Sequence, residues 1–319
     1  MDWTNRFGLP APLYSAIAND LYHTKRDVQL RKYMIEQGFE DKTYVHLSVS
    51  DLIKSPRQRI LGKRHQSKMV KDVTQNIFSF IGTCIHTCLR EVAKVNHVDY
   101  IAEERMFTHL TVNGTLVIIS GEPDLVTPDG ELHDYKFTAV WGWLKGVKDE
   151  WEKQTNLYAY IRFVNGHVTN KIKICFFLRD WKLSETVQQD YPKASAQMMD
   201  VKMWTIADAR LYMESRIKEH LAEEHKFDDE IKECTADEMW EKPEAWAVKK
   251  EGSARAYRVI KVPGAIGNEA AHALAETMGD GYTVEHRPGE RTRCQSFCDA
   301  AFKCNQYNEY VGAAIVGRK

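Results

Sequence analysis

Two short strand-like runs joined by a turn constrain this chain more than any other feature. They are Gly121-Glu122-Pro123-Asp124-Leu125-Val126 and Leu132-His133-Asp134-Tyr135-Lys136-Phe137, with Asp129-Gly130 as the turn signal between them. Side chains two apart on a strand share a face, so Asp134 and Lys136 project together and Tyr135 projects the other way. Pairing the runs across the turn brings Asp124 beside them. Two carboxylates and an ammonium in that arrangement suit a divalent cation, Mg²⁺ or Mn²⁺, and a phosphodiester. The carboxylates would hold the cation and the lysine would orient or activate a water. Taken alone, the same residues also make an ordinary solvated strand edge, so the flanking sequence decides.

Upstream, Ile77, Ile81, Cys84, Ile85, Cys88, Leu89 and Val92 recur at helical spacing, and the periodicity predicts a long helix over about 70–95. Gly82 and His86, four apart, share one side of it at the edge of the apolar stripe. Glycine inside a helix costs about 1 kcal/mol against alanine, and close approach of another backbone would explain it. Downstream, Gln154 and Tyr158 share one side of a helix predicted over about 150–163. Strands are predicted near 100–111, 115–126, 131–138 and 171–178, and a further amphipathic helix over 205–226. The resulting fold class is α/β, a mixed sheet flanked by helices.

These pieces, in this order, resemble the RecB-type branch of the PD-(D/E)XK nuclease superfamily. The shared pattern is Gly-x-x-x-His on a helix, Gly-x-x-Asp and Asp-x-Lys on successive strands, and Gln-x-x-x-Tyr on the next helix. Here it reads Gly82 to His86, Gly121 to Asp124, Asp134 to Lys136 and Gln154 to Tyr158. Leu47-Ser48-Val49-Ser50-Asp51-Leu52 is similar to that branch's opening segment, and the resemblance covers roughly residues 47–180. It implies a restriction-endonuclease-like core that cleaves DNA with Mg²⁺ or Mn²⁺. His86, Asp124, Asp134 and the carbonyl of Tyr135 would be metal ligands and Lys136 the catalytic lysine. Gln154 and Tyr158 would contact the nucleic-acid strand, and Glu122 is a candidate for a second metal. Family members of this size serve in recombination and repair, including in bacteriophages, so a recombination or replication protein is a candidate partner. An exonuclease and a structure- or sequence-specific endonuclease both suit the pattern. A non-catalytic DNA-binding module is disfavoured by the intact Asp124, Asp134 and Lys136.

The seven cysteines separate into two groups. Cys84, Cys88 and Cys175 read as small core residues. Cys294, Cys298 and Cys304 lie in a polar, Arg-rich tail at C-x₃-C-x₅-C spacing, which suits a thiolate metal site. Some RecB-type nucleases carry a four-cysteine iron–sulfur cluster with one ligand ahead of the core. Ser55 stands at that position here, which makes Cys234 the fourth candidate. Zn²⁺, an iron–sulfur cluster and free thiols are the alternatives.

At net charge −1 the chain has no global basic field to attract nucleic acid. One local basic run, Arg57, Arg59, Lys63, Arg64 and Lys68, contains no acid between Lys54 and Lys71. It is either a phosphate-backbone contact or a solvated surface. No run of 18 apolar residues occurs, and the first residues lack an apolar signal core, so no membrane span and a reducing cytoplasm are expected. The expected domains are a helical extension over 1–45, a nuclease core over 46–230 and a small Cys-rich subdomain over 231–319. In the last, a hairpin about Glu251-Gly252 precedes a short helix ending at Gly279.

Overall fold

The computed structural model describes residues 1–18 and 21–316, with side chains for 1–18 and 26–312. They form two compact units, residues 1–54 with 66–225, and residues 55–65 with 226–319. The N-terminal residues therefore belong with the central segment, and most of the basic run belongs with the C-terminal one. No helix among the described residues is long and apolar enough to cross a membrane.

The first unit is built on two sheets. In the smaller, β1 (Tyr44–Ser48) runs parallel to β4 (Thr115–Gly121), which pairs antiparallel with β3 (Met106–Val112). Asn113 and Gly114 join β3 to β4 at φ 50° and 78°, the tight hairpin turn that Asn-Gly favours. The larger sheet has the order β8-β7-β6-β5-β2. Its strands are β2 (Ile101–Ala102), β5 (Leu125–Val126), β6 (Glu131–Thr138), β7 (Lys171–Leu178) and β8 (Ala196–Asp200). Only β6 and β7 are parallel, and helix α2 (Asp149–Val164) carries the crossover between them. Leu125 pairs with His133 and Val126 with Leu132 across the Asp129-Gly130 turn, as the sequence predicts.

Along β7 alternate residues are buried, and Ile172, Ile174 and Phe176 are fully enclosed in one cluster with Leu157 and Ile161 of α2. Each such side chain contributes about 1.5–3 kcal/mol on burial. Helix α3 (Ile206–Glu223) adds Met213 and Ile217 to the same core.

Three expectations are corrected. The helix predicted from residue 70 begins at Ile77 as α1 (Ile77–Asn96). Val70–Asp72 is instead a strand parallel to Asp2–Thr4, and Asp72 caps a 3₁₀ turn over Val73–Asn76, with Gln75 bonding back. Second, Cys84 and Cys88 are exposed, and Ala93 is the one buried residue of α1. The helix turns its chemistry-bearing side inward, so its apolar stripe is not core. Third, a Cβ on Gly82 would meet its nearest neighbour, Phe137 Cβ, at 4.0 Å, so no close backbone approach requires that glycine.

The second unit packs helix Pro56–Arg64 through Ile60 and Leu61 against Ile231, Ala300 and Cys304. It also holds an antiparallel sheet of β9 (Ala245–Lys250), β10 (Ala256–Ile260) and β11 (Tyr282–Arg287), with β9 central. Helix α4 (Gly264–Met278) covers it, placing Ala271 and Ala275 on Val248, and ends at Gly279 (φ 84°).

Candidate functional site

The chain leaves β4 at Gly121 and enters β5, in the other sheet, at Leu125, and the segment between them carries Asp124. A cleft of about 470 Å³ opens there, lined by Gly82 and His86 of α1, Glu103, Arg105, Glu122, Asp124 and Tyr158, with Ser48, Ser50 and Ser120 along one wall. Nδ1 of His86 lies 3.2 Å from Oδ1 of Asp124 and 3.6 Å from Oε1 of Glu103. The second oxygen of Asp124 accepts the Tyr135 N–H at 2.5 Å. Tyr135 thus joins the site through its amide, and its ring meets the His86 ring edge to face.

Asp134 and Lys136 share a face of β6, turned towards α2. Nζ of Lys136 lies 2.6 Å from Oδ2 of Asp134 and donates to Oε1 of Gln154 at 3.2 Å. Nε2 of Gln154 in turn donates to the Tyr158 hydroxyl at 2.8 Å. Tyr158 is buried, so it forms the back wall of the cleft. Gly121 makes room for it, since a Cβ there would sit 2.8 Å from Tyr158 Cδ1.

The electrostatics follow from this packing. Burial opposes the His86 imidazolium, but the hydrogen bonds and charges of Asp124 and Glu103 outweigh it and raise the pKa to about 10. Burial raises the Asp134 carboxyl above the usual range, with the Lys136 ammonium pulling the other way. Burial raises Tyr158 and Tyr135 further, reinforced by nearby carboxylates. Glu122 is raised by burial although Arg105 forms an ion pair with it.

Sequence reasoning missed Glu103 and Arg105. Glu103 adopts φ 47°, receives Arg90 at 2.7 Å and donates its N–H to the Asp124 carbonyl at 3.2 Å. The charged triplet Glu103-Glu104-Arg105 inside an apolar strand-like run is the signal that could have found them.

Among the described residues no group of three or more His, Cys, Asp or Glu side chains is placed to hold a metal ion. The side chains hold one another: in the cleft His86 holds Asp124 and Glu103, and on β6 Lys136 faces Asp134. The donor chemistry nonetheless fits a hard cation. Oxygens dominate, and the buried Oδ2 of Asp134 meets the Lys136 ammonium outside hydrogen-bonding angles, leaving it without a directed donor.

The cysteines fit a metal less well. In the second unit the Ser55 hydroxyl lies 3.1 Å from Cys234 Sγ. Burial pushes the Cys234 thiol up to about 12 and Cys294 up to about 11, and raises Cys298. Cys304 is buried beside Ile60 and Leu61. Among the described residues these thiols are not placed as a metal-ligand group.

The basic run is largely a correction. Arg57 is 1% exposed and donates to the carbonyls of Lys232 and Ile231 and to Oδ1 of Asn305. Arg59 is buried as well, and Arg64 pairs with Asp228 at 2.8 Å. These side chains serve the second unit's interior and edge. Lys63 is exposed there, and Lys68 is exposed in the first unit.

No family model matches the chain, and no curated protein matches it. Among solved structures it is similar to SSO0001, at 18% identity and TM-score 0.40, over 60% of this chain and 85% of that one. It is also similar to a protein of Eubacterium rectale named "Putative exonuclease", at 16% identity and TM-score 0.28, over 64% of this chain and 68% of that one.

Proposed function

We propose that the chain is a divalent-metal-dependent nuclease that hydrolyses phosphodiester bonds in DNA, on a RecB-type, restriction-endonuclease-like core. The observation that carries this is the juxtaposition of His86 and Asp124, which line the cleft, with Asp134 and Lys136 on the strand whose Tyr135 amide Asp124 accepts. Action from DNA ends, in recombination or repair or in bacteriophage replication, follows from the family resemblance.

Asp124, Asp134 and His86 would hold Mg²⁺ or Mn²⁺ in place of their present side-chain partners. When bound, the cation stabilises charge developing at the phosphoryl oxygens. Lys136 is held between Asp134 and Gln154, so its ammonium has a fixed position from which to donate to the attacking water. Among the described residues Arg105 is the one guanidinium lining the cleft, which Ser48, Ser50 and Ser120 also line with hydroxyls suited to phosphate oxygens. Tyr158 and the strand behind it exclude water from the back of the site. At the cysteines we propose free thiols, because among the described residues Cys234, Cys294, Cys298 and Cys304 are not placed as a metal-ligand group.

The test is cleavage of linear and circular DNA with Mg²⁺, with Mn²⁺ and with chelator. Metal-dependent loss of substrate that disappears in Asp134→Asn and Lys136→Ala is expected. Wild-type rates in Asp134→Asn, or no cleavage by the wild type, would overturn the reading.

A further inference from the structure

Two exposed aromatic rings border the carboxyl ends of β6 and β7, and each has a cation resting on it. Phe78, at the start of α1, is 56% exposed, and the guanidinium of Arg179 lies 4.4 Å from its ring centroid. Trp141, in the short helix Val140–Leu144, is 63% exposed, with Nζ of Lys145 at 3.6 Å from its centroid. The Arg179 N–H donates to the carbonyl of Thr138, the last residue of β6. Thr138 is two residues beyond Lys136, about 7 Å along the strand. Ser79, next to Phe78, already lines the cleft. The Phe78 end of the rim therefore adjoins the cleft.

Trp141 is exposed yet firmly mounted. Val140 is buried, and its N–H donates to Oδ1 of Asp180 at 2.7 Å. Gly142 packs so close to the strand end that a Cβ there would sit 2.6 Å from Thr138 Oγ1. A large ring held in water on a pinned turn forgoes the stabilisation of burial. Among the described residues no ion pair joins Arg179 or Lys145 to a carboxylate. Both cations rest on ring faces, where the attraction is modest, and are available for a stronger anionic partner.

We propose that this rim binds a single-stranded segment of DNA entering or leaving the cleft. Bases stack on Phe78 and Trp141 while Arg179 and Lys145 move from ring to phosphate. The proposal rests on the nuclease reading of the cleft. Unpaired bases expose the faces that aromatic rings stack on, whereas a duplex hides them, and stacking of this kind tolerates any sequence.

The test measures anisotropy of a labelled single-stranded oligonucleotide, and of a blunt duplex of the same sequence, with the full chain in chelator. Phe78→Ala with Trp141→Ala should weaken single-strand binding roughly tenfold per ring and leave duplex binding nearly unchanged. Arg179→Ala with Lys145→Ala should lower the slope of log affinity against log salt by about 0.7 per cation removed. Phe78→Tyr with Trp141→Phe keeps the rings and should keep the affinity, and melting curves confirm that each variant is folded. Unchanged single-strand affinity in the alanine pair, or an equal loss on duplex, would overturn the proposal. Cleavage by the wild type is followed in parallel. Cleavage without a rim effect removes the rim alone. A rim effect without cleavage removes the nuclease reading and leaves a DNA-binding surface.

Discussion

Asp124 is shared between His86 and Tyr135: one carboxylate oxygen lies 3.2 Å from the His86 ring nitrogen, and the other accepts the Tyr135 amide at 2.5 Å. A single side chain thus ties α1 to β6 across the cleft. Asp124→Asn should keep the packing while removing the charge, and cleavage should fall on the order of 10²-fold or more. His86→Ala should be milder, with weakened metal affinity and partial rescue at high Mn²⁺. Rates at limiting and saturating metal separate the two, and an unchanged rate for His86→Ala at limiting metal would make that residue structural.

The two glycines of the shared motif should respond in opposite ways. Gly121→Ala drives a Cβ into the Tyr158 ring at 2.8 Å and to within 3.1 Å of Ile161 Cδ1. Overpacking of this kind costs about 1–3 kcal/mol, read as a lower denaturation midpoint. Gly82→Ala meets nothing closer than 4.0 Å and should be neutral or stabilise by up to about 1 kcal/mol. Equal destabilisation by both would contradict this packing.

Arg57 and Lys63 should also separate. Removing the buried guanidinium leaves the Ile231 and Lys232 carbonyls without their donor, at about 1–3 kcal/mol for each group left unpaired. Lysine cannot reproduce the planar fork, so Arg57→Lys should rescue little. Lys63→Ala, on the surface, should stay within about 0.5 kcal/mol. Urea melts of the three variants test the ranking.

The N-terminal strand should be released by acid. Hydrogen bonds to Asp72 from Thr74, Arg6 and Thr4 hold its carboxyl well below the usual carboxylate range. A lowered pKa in the folded state contributes stability above the unfolded value, about 3.9, and that contribution is lost as pH falls from there towards the folded value. Proteolysis or hydrogen exchange of residues 1–9 should therefore rise only as pH falls below about 4, and keep rising towards the folded value. Asp72→Asn should show the released behaviour already at neutral pH.

Much of this was legible because local chemistry and tertiary fold agree. Asp129-Gly130 sits where a hairpin needs a turn, and β7 alternates because one of its faces is buried. The placement of Asp134 with Lys136, and of Gln154 with Tyr158, follows from the period of a strand and of a helix. What stayed hidden depends on partners distant in sequence. Asp72 reads as helix by pattern, yet it bonds to Thr4 and Arg6 and caps a 3₁₀ turn, so the helix starts only at Ile77. Glu103 reads as strand, yet bonding to Asp124 holds it in a left-handed turn. Arg57 reads as a surface cation because nothing nearby in sequence reveals the carbonyls, more than 170 positions later, that enclose it.

The membership of helix Pro56–Arg64 has a consequence for biosynthesis. Its hydrophobic partners, Ile231, Ala300 and Cys304, and the acceptors of Arg57 are all made after residue 225. As the chain leaves the ribosome, this early helix must wait, with Ile60 and Leu61 uncovered, until Ile231, Ala300 and Cys304 emerge. A nascent or prematurely terminated chain therefore carries an apolar, arginine-bearing segment in its middle with nowhere to go. The residues lining the candidate cleft, none later than Tyr158, are all made while that segment is still uncovered.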